Sequence, residues 1–259
     1  MAMSLSNMAK KNAEPPAIYT IYGTPKVGKT SLALEFPDPI YVNTPGESPP
    51  KGIEFVTPGE ISSLDELLDL IGELLTTPHD RKTLVIDSAD GLEPLVWDHT
   101  CRANGWSNIE APDYGKGYIA TDEHWRELLR ALEALAMSGM AVVFIAHAIA
   151  ARFDSPVTDP YSRWQIKLHK RAAALIQEAS SVIAFIDFRM TLKTKDVGFK
   201  KAVSHGEGGG DRQIHLEERP GFVAGNRFGM PSAVPYKAGA GYSALAKYLT
   251  EPTGIVAAE

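Results

Sequence analysis

The chain has 259 residues, a formal net charge of −6, and 44% hydrophobic against 22% charged residues. This composition supports one well-buried α/β core and excludes disorder as the default state. The single cysteine, Cys101, excludes an intrachain disulfide framework. The opening MAMSLSNMAKKNAEPP lacks the apolar run of a secretory leader, and no run of about 18 apolar residues predicts a transmembrane helix, so the expectation is a cytoplasmic protein with no membrane partner.

In chain order, residues 1–16 read as a flexible arm, 17–250 as a single domain and 251–259 as a tail. AIYTIY (17–22) predicts a strand, KTSLALEF (29–36) a helix closed by Pro37, and PIYVN (39–43) a second strand. SLDELLDLIGELL (63–75) predicts a helix opened by a Ser63–Glu66 capping box. TLVID (83–87) predicts a buried strand followed by a helix in which Cys101 is an inert thiol. TDEHWRELLRALEALAM (121–137) carries acids in its first turn and sets Trp125, Leu128, Leu129, Leu132 and Leu135 on one face, a core stripe. AVVFIAH (141–147) predicts a strand, WQIKLHKRAAALIQEA (164–179) a helix and SVIAFID (181–187) a further strand. Short β-like pieces around GEGGG (206–210) predict antiparallel hairpins at the edge of a mostly parallel central sheet flanked by helices. His205 and His215 flank that glycine turn without cysteine partners, so no zinc site is expected.

Gly23-Thr24-Pro25-Lys26-Val27-Gly28-Lys29-Thr30 fills the G-x-x-x-x-G-K-[ST] template between a predicted strand and a predicted helix. Glycines let backbone N–H groups wrap a phosphate, and the helix N-terminus, with Ser31 in its first turn, adds a favourable dipole. Lys29 would reach the β/γ-phosphates, and Thr30 offers a hydroxyl to Mg²⁺. Asp87 ends an apolar strand, where an acid can hold the metal's water shell, although strands also end in Asp for ordinary turn chemistry. No N/T-K-x-D guanine signature follows, which favours ATP.

Charge is unevenly spread: residues 151–201 carry ten Lys/Arg against five Asp/Glu, so this window is +5 and the rest of the chain −11. A polyanion would meet that window, or the window is simply a solvated surface.

With these motifs in place, the sequence resembles the RecA/RadA-type recombinase ATPases, and specifically the short RecA-like phage proteins of single-strand annealing and recombination. GTPKVGKTSLALEFPDPIYVN looks like their Walker A helix and next strand, and TLVIDSADGLEPLVWD like their Walker B strand. VVFIAH resembles the strand ending in a γ-phosphate sensor ahead of an irregular, DNA-contacting stretch. AGNRFGMP (224–231) resembles the KNRFG motif. The likeness covers most of residues 15–235 and implies a RecA-like P-loop NTPase core. It assigns His147 to the sensor position, the alternative being a hydrogen-bonded histidine at a strand end. It assigns Arg227 to the arginine sent into a neighbouring subunit's nucleotide, the alternative being a surface arginine in a turn, and so implies a ring or filament of copies of this chain. Two features depart from the family. The glutamate expected after the second strand is replaced in Asn43-Thr44-Pro45-Gly46-Glu47, with Glu47 as the substitute, and Gly225 stands where RadA-type motifs carry lysine.

The resemblance also implies two DNA loops. Residues 104–125 offer Trp106, Tyr114, Lys116 and Tyr118. Residues 151–171 offer Arg152, Phe153, Tyr161, Arg163, Trp164, Lys167, Lys170 and Arg171. Interleaved aromatics and cations suit single strands, since bases stack while cations track phosphates; the alternatives are a core Trp164 and a solvated KLHKR helix face. The expected function is a Mg²⁺-dependent ATPase that binds single-stranded DNA and promotes annealing or strand exchange, with a single-strand-binding protein as a further partner. The other readings are an AAA-type helicase loader or motor acting on a protein, and an annealing scaffold that binds ATP with little hydrolysis.

Overall fold

The computed structural model describes residues 15–249 except 190, 197–201, 208 and 209, with side chains described outside 190–209. The arm expected at 1–16 therefore falls outside the described residues apart from Pro15 and Pro16, as do the tail at 251–259 and the side chain of His205.

The apolar run that opens the domain forms β1 (Ile18–Gly23), buried at every position. Around it the central sheet assembles β2 (Pro39–Asn43), β3 (Val56–Glu60), β4 (Thr83–Asp87), β5 (Ala141–Phe153) and β7 (Val182–Phe188) as parallel neighbours in the order β7-β1-β5-β4-β2-β3. Antiparallel β10 (Arg212–His215) and β12 (Ala233–Tyr236) extend the sheet beyond β7, and β11 (Gly225–Asn226) pairs with the other end of β7. The antiparallel edge expected from the sequence is thus formed by β10 and β12. β8 (Thr191–Asp196) and β9 (Ala202–Glu207) pair with each other as a separate two-stranded sheet. β3 was not expected: VTPGE contains Pro58, which an edge strand tolerates because one side of its ladder is unpaired.

Strand residues alternate between two apolar layers, as a pleated sheet covered on both faces requires. Ile18, Tyr22, Val42, Ile86, Phe144 and Phe185 meet α2 (Leu64–Thr76), α3 (Ala89–Asn104), α4 (Lys116–Met137) and α5 (Lys170–Ala179) on one face. Tyr19, Ile21, Tyr41, Val85, Ile145 and Ile186 meet α1 (Lys29–Ala33) and α6 (Gly241–Ala246) on the other. The expected stripe on α4 is core, with Trp125, Leu128, Leu132 and Leu135 fully buried. Ser63 caps α2 by accepting from Glu66 N–H at 3.2 Å, while the Glu66 carboxylate reaches back to Ser62 N–H at 2.7 Å, a capping box displaced by one residue. No helix among the described residues is long and apolar enough to cross a membrane.

Four expectations are corrected. The helix expected from Trp164 starts only at Lys170, because Tyr161–Ile166 form β6, paired antiparallel with Ala148–Phe153. The strand expected to stop at His147 therefore continues to Phe153, and a hairpin replaces the irregular stretch. The loop expected over 104–125 ends at Gly115, whose left-handed backbone starts α4, so Lys116 and Tyr118 lie on a helix. The helix expected over 29–36 has regular geometry only through Ala33.

Trp125→Ala empties a fully buried site beneath the sheet and is expected to lower unfolding free energy by about 3–5 kcal/mol. The control Ile119→Ala, on the exposed side of the same helix, should change it by no more than about 0.5 kcal/mol. Chemical denaturation of both variants checks this, and equal effects would contradict the assignment of the stripe to the core.

Candidate nucleotide site

The Gly23–Thr30 loop leaves the C-terminal end of β1 and turns into α1 through Lys26 at φ 64° and Gly28 at φ 103°. A Cβ on Gly28 would lie 2.5 Å from Arg212 Nη1 and 3.0 Å from the Tyr236 ring, and one on Gly23 would lie 2.4 Å from the Ile186 carbonyl oxygen. Gly28 is thus required by the turn as well as by close approach, and Gly23 by close approach alone. From the α1 face, Arg212 donates to the Val27 carbonyl at 3.0 Å and Tyr236 OH to the Gly28 carbonyl at 2.8 Å, with the Arg212 guanidinium 4.5 Å from the Tyr236 ring centre. These contacts fix the Val27 and Gly28 carbonyls.

Lys29 is buried, and its ammonium donates to the Gly23 and Thr24 carbonyls at 3.2 and 3.0 Å. Burial lowers its pKa, opposed by the negative charges of Asp87, Asp90 and Glu47. Thr30 Oγ1 donates to Asp87 Oδ2 at 2.8 Å, and Tyr41 OH donates to the same oxygen at 3.0 Å. Burial raises the Asp87 pKa, against the Thr30 and Tyr41 hydrogen bonds and the Lys29 charge. The hydroxyl and carboxylate oxygens of Thr30 and Asp87 are the hard donors Mg²⁺ takes. A buried ammonium beside a glycine turn at a helix start suits a triphosphate. The residues present therefore fit both groups: Gly23–Ser31 would hold the phosphates, and Thr30 and Asp87 the metal.

β5 lies between β1 and β4, which brings His147 level with Gly23. Asp90, in the first turn of α3, fixes it: Oδ1 accepts from His147 N–H at 2.9 Å, and Oδ2 lies 2.9 Å from the ring Nδ1. The Asp90 hydrogen bond raises the His147 pKa, against burial, and with the His147 contacts it holds Asp90 below the ordinary carboxylate value, again against burial. Glu47 Oε1 accepts from Ser88 Oγ at 2.9 Å and lies 3.6 Å from His147 Nδ1, so the substitute glutamate reaches the site despite Pro45. Glu47, Asp90 and His147 each bring one ligand-type atom to within 4.8 Å of the others, and the Lys167 ammonium already stands 3.6 Å from Asp90.

Asp90, Arg212, Tyr236 and Tyr41 were missed in the sequence. Asp90 had a signal, as the second acid of Asp-Ser-Ala-Asp three residues after the strand's terminal acid. Arg212, Tyr236 and Tyr41 had none, since their roles depend on which strands become neighbours.

Arg227 is far from its own phosphate loop. Its backbone N–H donates to Ser181 O at the N-terminal end of β7, whereas Gly23 pairs with Ile186 near the other end. Within GNRFG, Asn226 Oδ1 accepts from the N–H groups of Phe228 and Met230, Phe228 packs on Tyr19, and Gly229 takes φ 64°. This turn leaves Arg227 exposed, with Nη2 donating to the Glu178 carbonyl at 2.9 Å.

The expected DNA residues fall into two groups with different freedom. On the hairpin, Arg152 donates to Asp154 at 2.8 Å and is largely exposed, whereas Arg163 donates to Glu218 at 2.7 Å and stacks 3.8 Å over Phe153. Trp164 is half-buried and packs against the core. At the α4–α5 contact, Arg171 makes a two-pronged pair with Asp122, and Tyr118 donates to Glu110 and stacks on His169, while Lys167, ahead of α5, stands against Asp90 of α3. Tyr114, Lys116 and Lys170 are exposed.

With the geometry in view, a family model described as "AAA domain" matches residues 16–228. No curated protein matches the chain.

Because the Asp90 carboxylate raises the His147 pKa, that pair's stabilisation is full below the ordinary histidine value of 6.5 and is lost as pH rises through the raised one. Asp90 is held below its ordinary 3.8, so the same stabilisation is also lost at the acid end, as pH falls through that lowered value. Asp90→Asn should return the His147 titration towards 6.5, read by NMR of the imidazole protons. An unchanged titration would contradict the pairing.

Proposed function

The chain belongs to the AAA-domain family, P-loop NTPases, and we propose that within it the protein is a Mg²⁺-dependent ATPase that binds single-stranded DNA and promotes annealing or strand exchange during recombination. The observation that carries this reading is the continuity of β5, which passes from His147 beside the phosphate loop into a hairpin bearing Arg152, Phe153, Tyr161 and Arg163. A change at the nucleotide is felt first at the base of that hairpin. The finer likeness, to RecA/RadA-type recombinases, belongs to this proposal, as does a cytoplasmic setting.

Lys29 binds and orients the phosphates, bound Mg²⁺ neutralises phosphate charge, and Asp87 anchors the metal's shell. Glu47 orients the attacking water, and His147 senses the γ-phosphate. Arg227 is too far from its own loop to serve it, which supports action in trans on a neighbouring copy, where a guanidinium stabilises transferred charge. A single-strand-binding protein is a further partner in this reading.

One observation favours a second reading, an AAA-type motor or loader acting on a protein. Several cations of the basic window are paired within the chain, Arg163 with Glu218, Arg171 with Asp122 and Lys167 with Asp90, which reduces what is free for phosphates.

Fluorescence anisotropy with a single-stranded oligonucleotide should show salt-sensitive binding that tightens with an ATP analogue. No affinity with or without nucleotide sinks the recombination role and leaves the second reading. Lys29→Ala should abolish nucleotide binding. Arg227→Ala should retain it but lower hydrolysis by roughly 10³-fold, and mixing the two variants should restore part of the activity at mixed interfaces. Normal turnover by Arg227→Ala refutes the trans role.

A further inference from the structure

A cavity of about 590 Å³ opens between the hairpin base, the end of β7 and β10, within the roughly 300–1,000 Å³ typical of small-molecule sites. It lies on the sheet face away from α1. On β10, Gln213 and His215 line it, while Arg212, the residue before Gln213, turns to the other face and holds the phosphate loop. Its wall carries the rings of Trp164, His215 and Phe222, backed by buried Phe185: His215 and Phe222 have centroids 4.4 Å apart, and Phe185 lies 6.5 Å from Trp164 and 5.0 Å from Phe222. Arg163 adds a guanidinium whose Nε is buried and has no hydrogen-bond partner among the described residues. Arg189 is an exposed cation at the mouth, and Asp187 adds a carboxylate.

We infer that this cavity is a nucleobase site, taking one base with its attached phosphate turned out of a single strand that follows the hairpin. The ring wall supplies a stacking surface that any base can use. Gln213 and Asp187 offer an amide and a carboxylate to the base's amino and imino groups. Arg189 meets the phosphate. A purely hydrophobic ligand would desolvate the Gln213 amide and the Asp187 carboxylate while offering neither a partner, at a free-energy cost. The same chemistry fits a free mononucleotide, and identifying the source as a strand rests on the nucleic-acid reading above.

Ser162 is exposed at the rim, on a strand where an aromatic is tolerated, so Ser162→Trp fills the cavity without entering the core. Its melting temperature and its binding of an ATP analogue should match those of the wild type. The wild type should bind an oligothymidylate about tenfold more tightly than an abasic strand of the same length, and Ser162→Trp should erase that preference while keeping the weaker abasic affinity. In a second arm, thymidine monophosphate is titrated with the phosphate loop saturated by an ATP analogue. If the wild type binds no strand but binds the mononucleotide, and Ser162→Trp loses it, the recombination reading fails while the cavity stands as a free-nucleotide site. The inference is overturned if the wild type shows neither a base preference nor mononucleotide binding, or if Ser162→Trp retains whichever of the two the wild type shows. Should Ser162→Trp melt early, Arg189→Glu replaces it, expected to weaken both ligands several-fold and overturning the inference if it weakens neither.

Discussion

A buried ammonium among carboxylates governs this molecule. Lys29 sits under the sheet's C-terminal edge within the fields of Asp87, Asp90 and Glu47, and each of those acids is tied to a different element. Asp87 holds Thr30 of α1 and Tyr41 of β2, Asp90 holds His147 of β5, and Glu47 holds Ser88 at the start of α3. The charge of one side chain is thus balanced by groups that together span the parallel strands. A polyanion entering the loop would compete with these acids for Lys29, so binding would redistribute contacts across several elements at once.

That arrangement explains why a strand beyond the site can report on it. Asp90 faces both His147 and Lys167, and one turn along α3 the buried Glu93 accepts from His169 N–H at 2.9 Å, its pKa raised by burial to about 7. The two acids grip the segment between β6 and α5, while His147 anchors the start of the hairpin's other arm. The hairpin is held at both roots by the helix that begins beside the nucleotide acid.

Much of this was legible in the sequence where the signal is local. The phosphate loop, the stripe through Trp125 and Leu135, the Ser63 cap and the terminal acid Asp87 each depend on spacing within one element, and the fold keeps them. What escaped depends on pairing across the chain. Trp164–Ile166 read as helix because helical residues follow them, yet their backbone is taken up by Ala148–Ala150. Arg171 read as a free cation because Asp122 is distant in sequence, and helix packing closes the gap. Arg212 and Tyr236 gain meaning only when β10 and β12 come alongside the loop.

The central claim is that the nucleotide site and the hairpin act as one unit on a single strand. Amide hydrogen exchange over residues 148–166 tests it most directly, measured with an ATP analogue and a single-stranded oligonucleotide together and separately. The account predicts strong protection of this segment when both are present, weaker protection with the strand alone, and no nucleotide-dependent gain in Lys29→Ala. Exchange in 148–166 that is unchanged by strand and nucleotide together would contradict it.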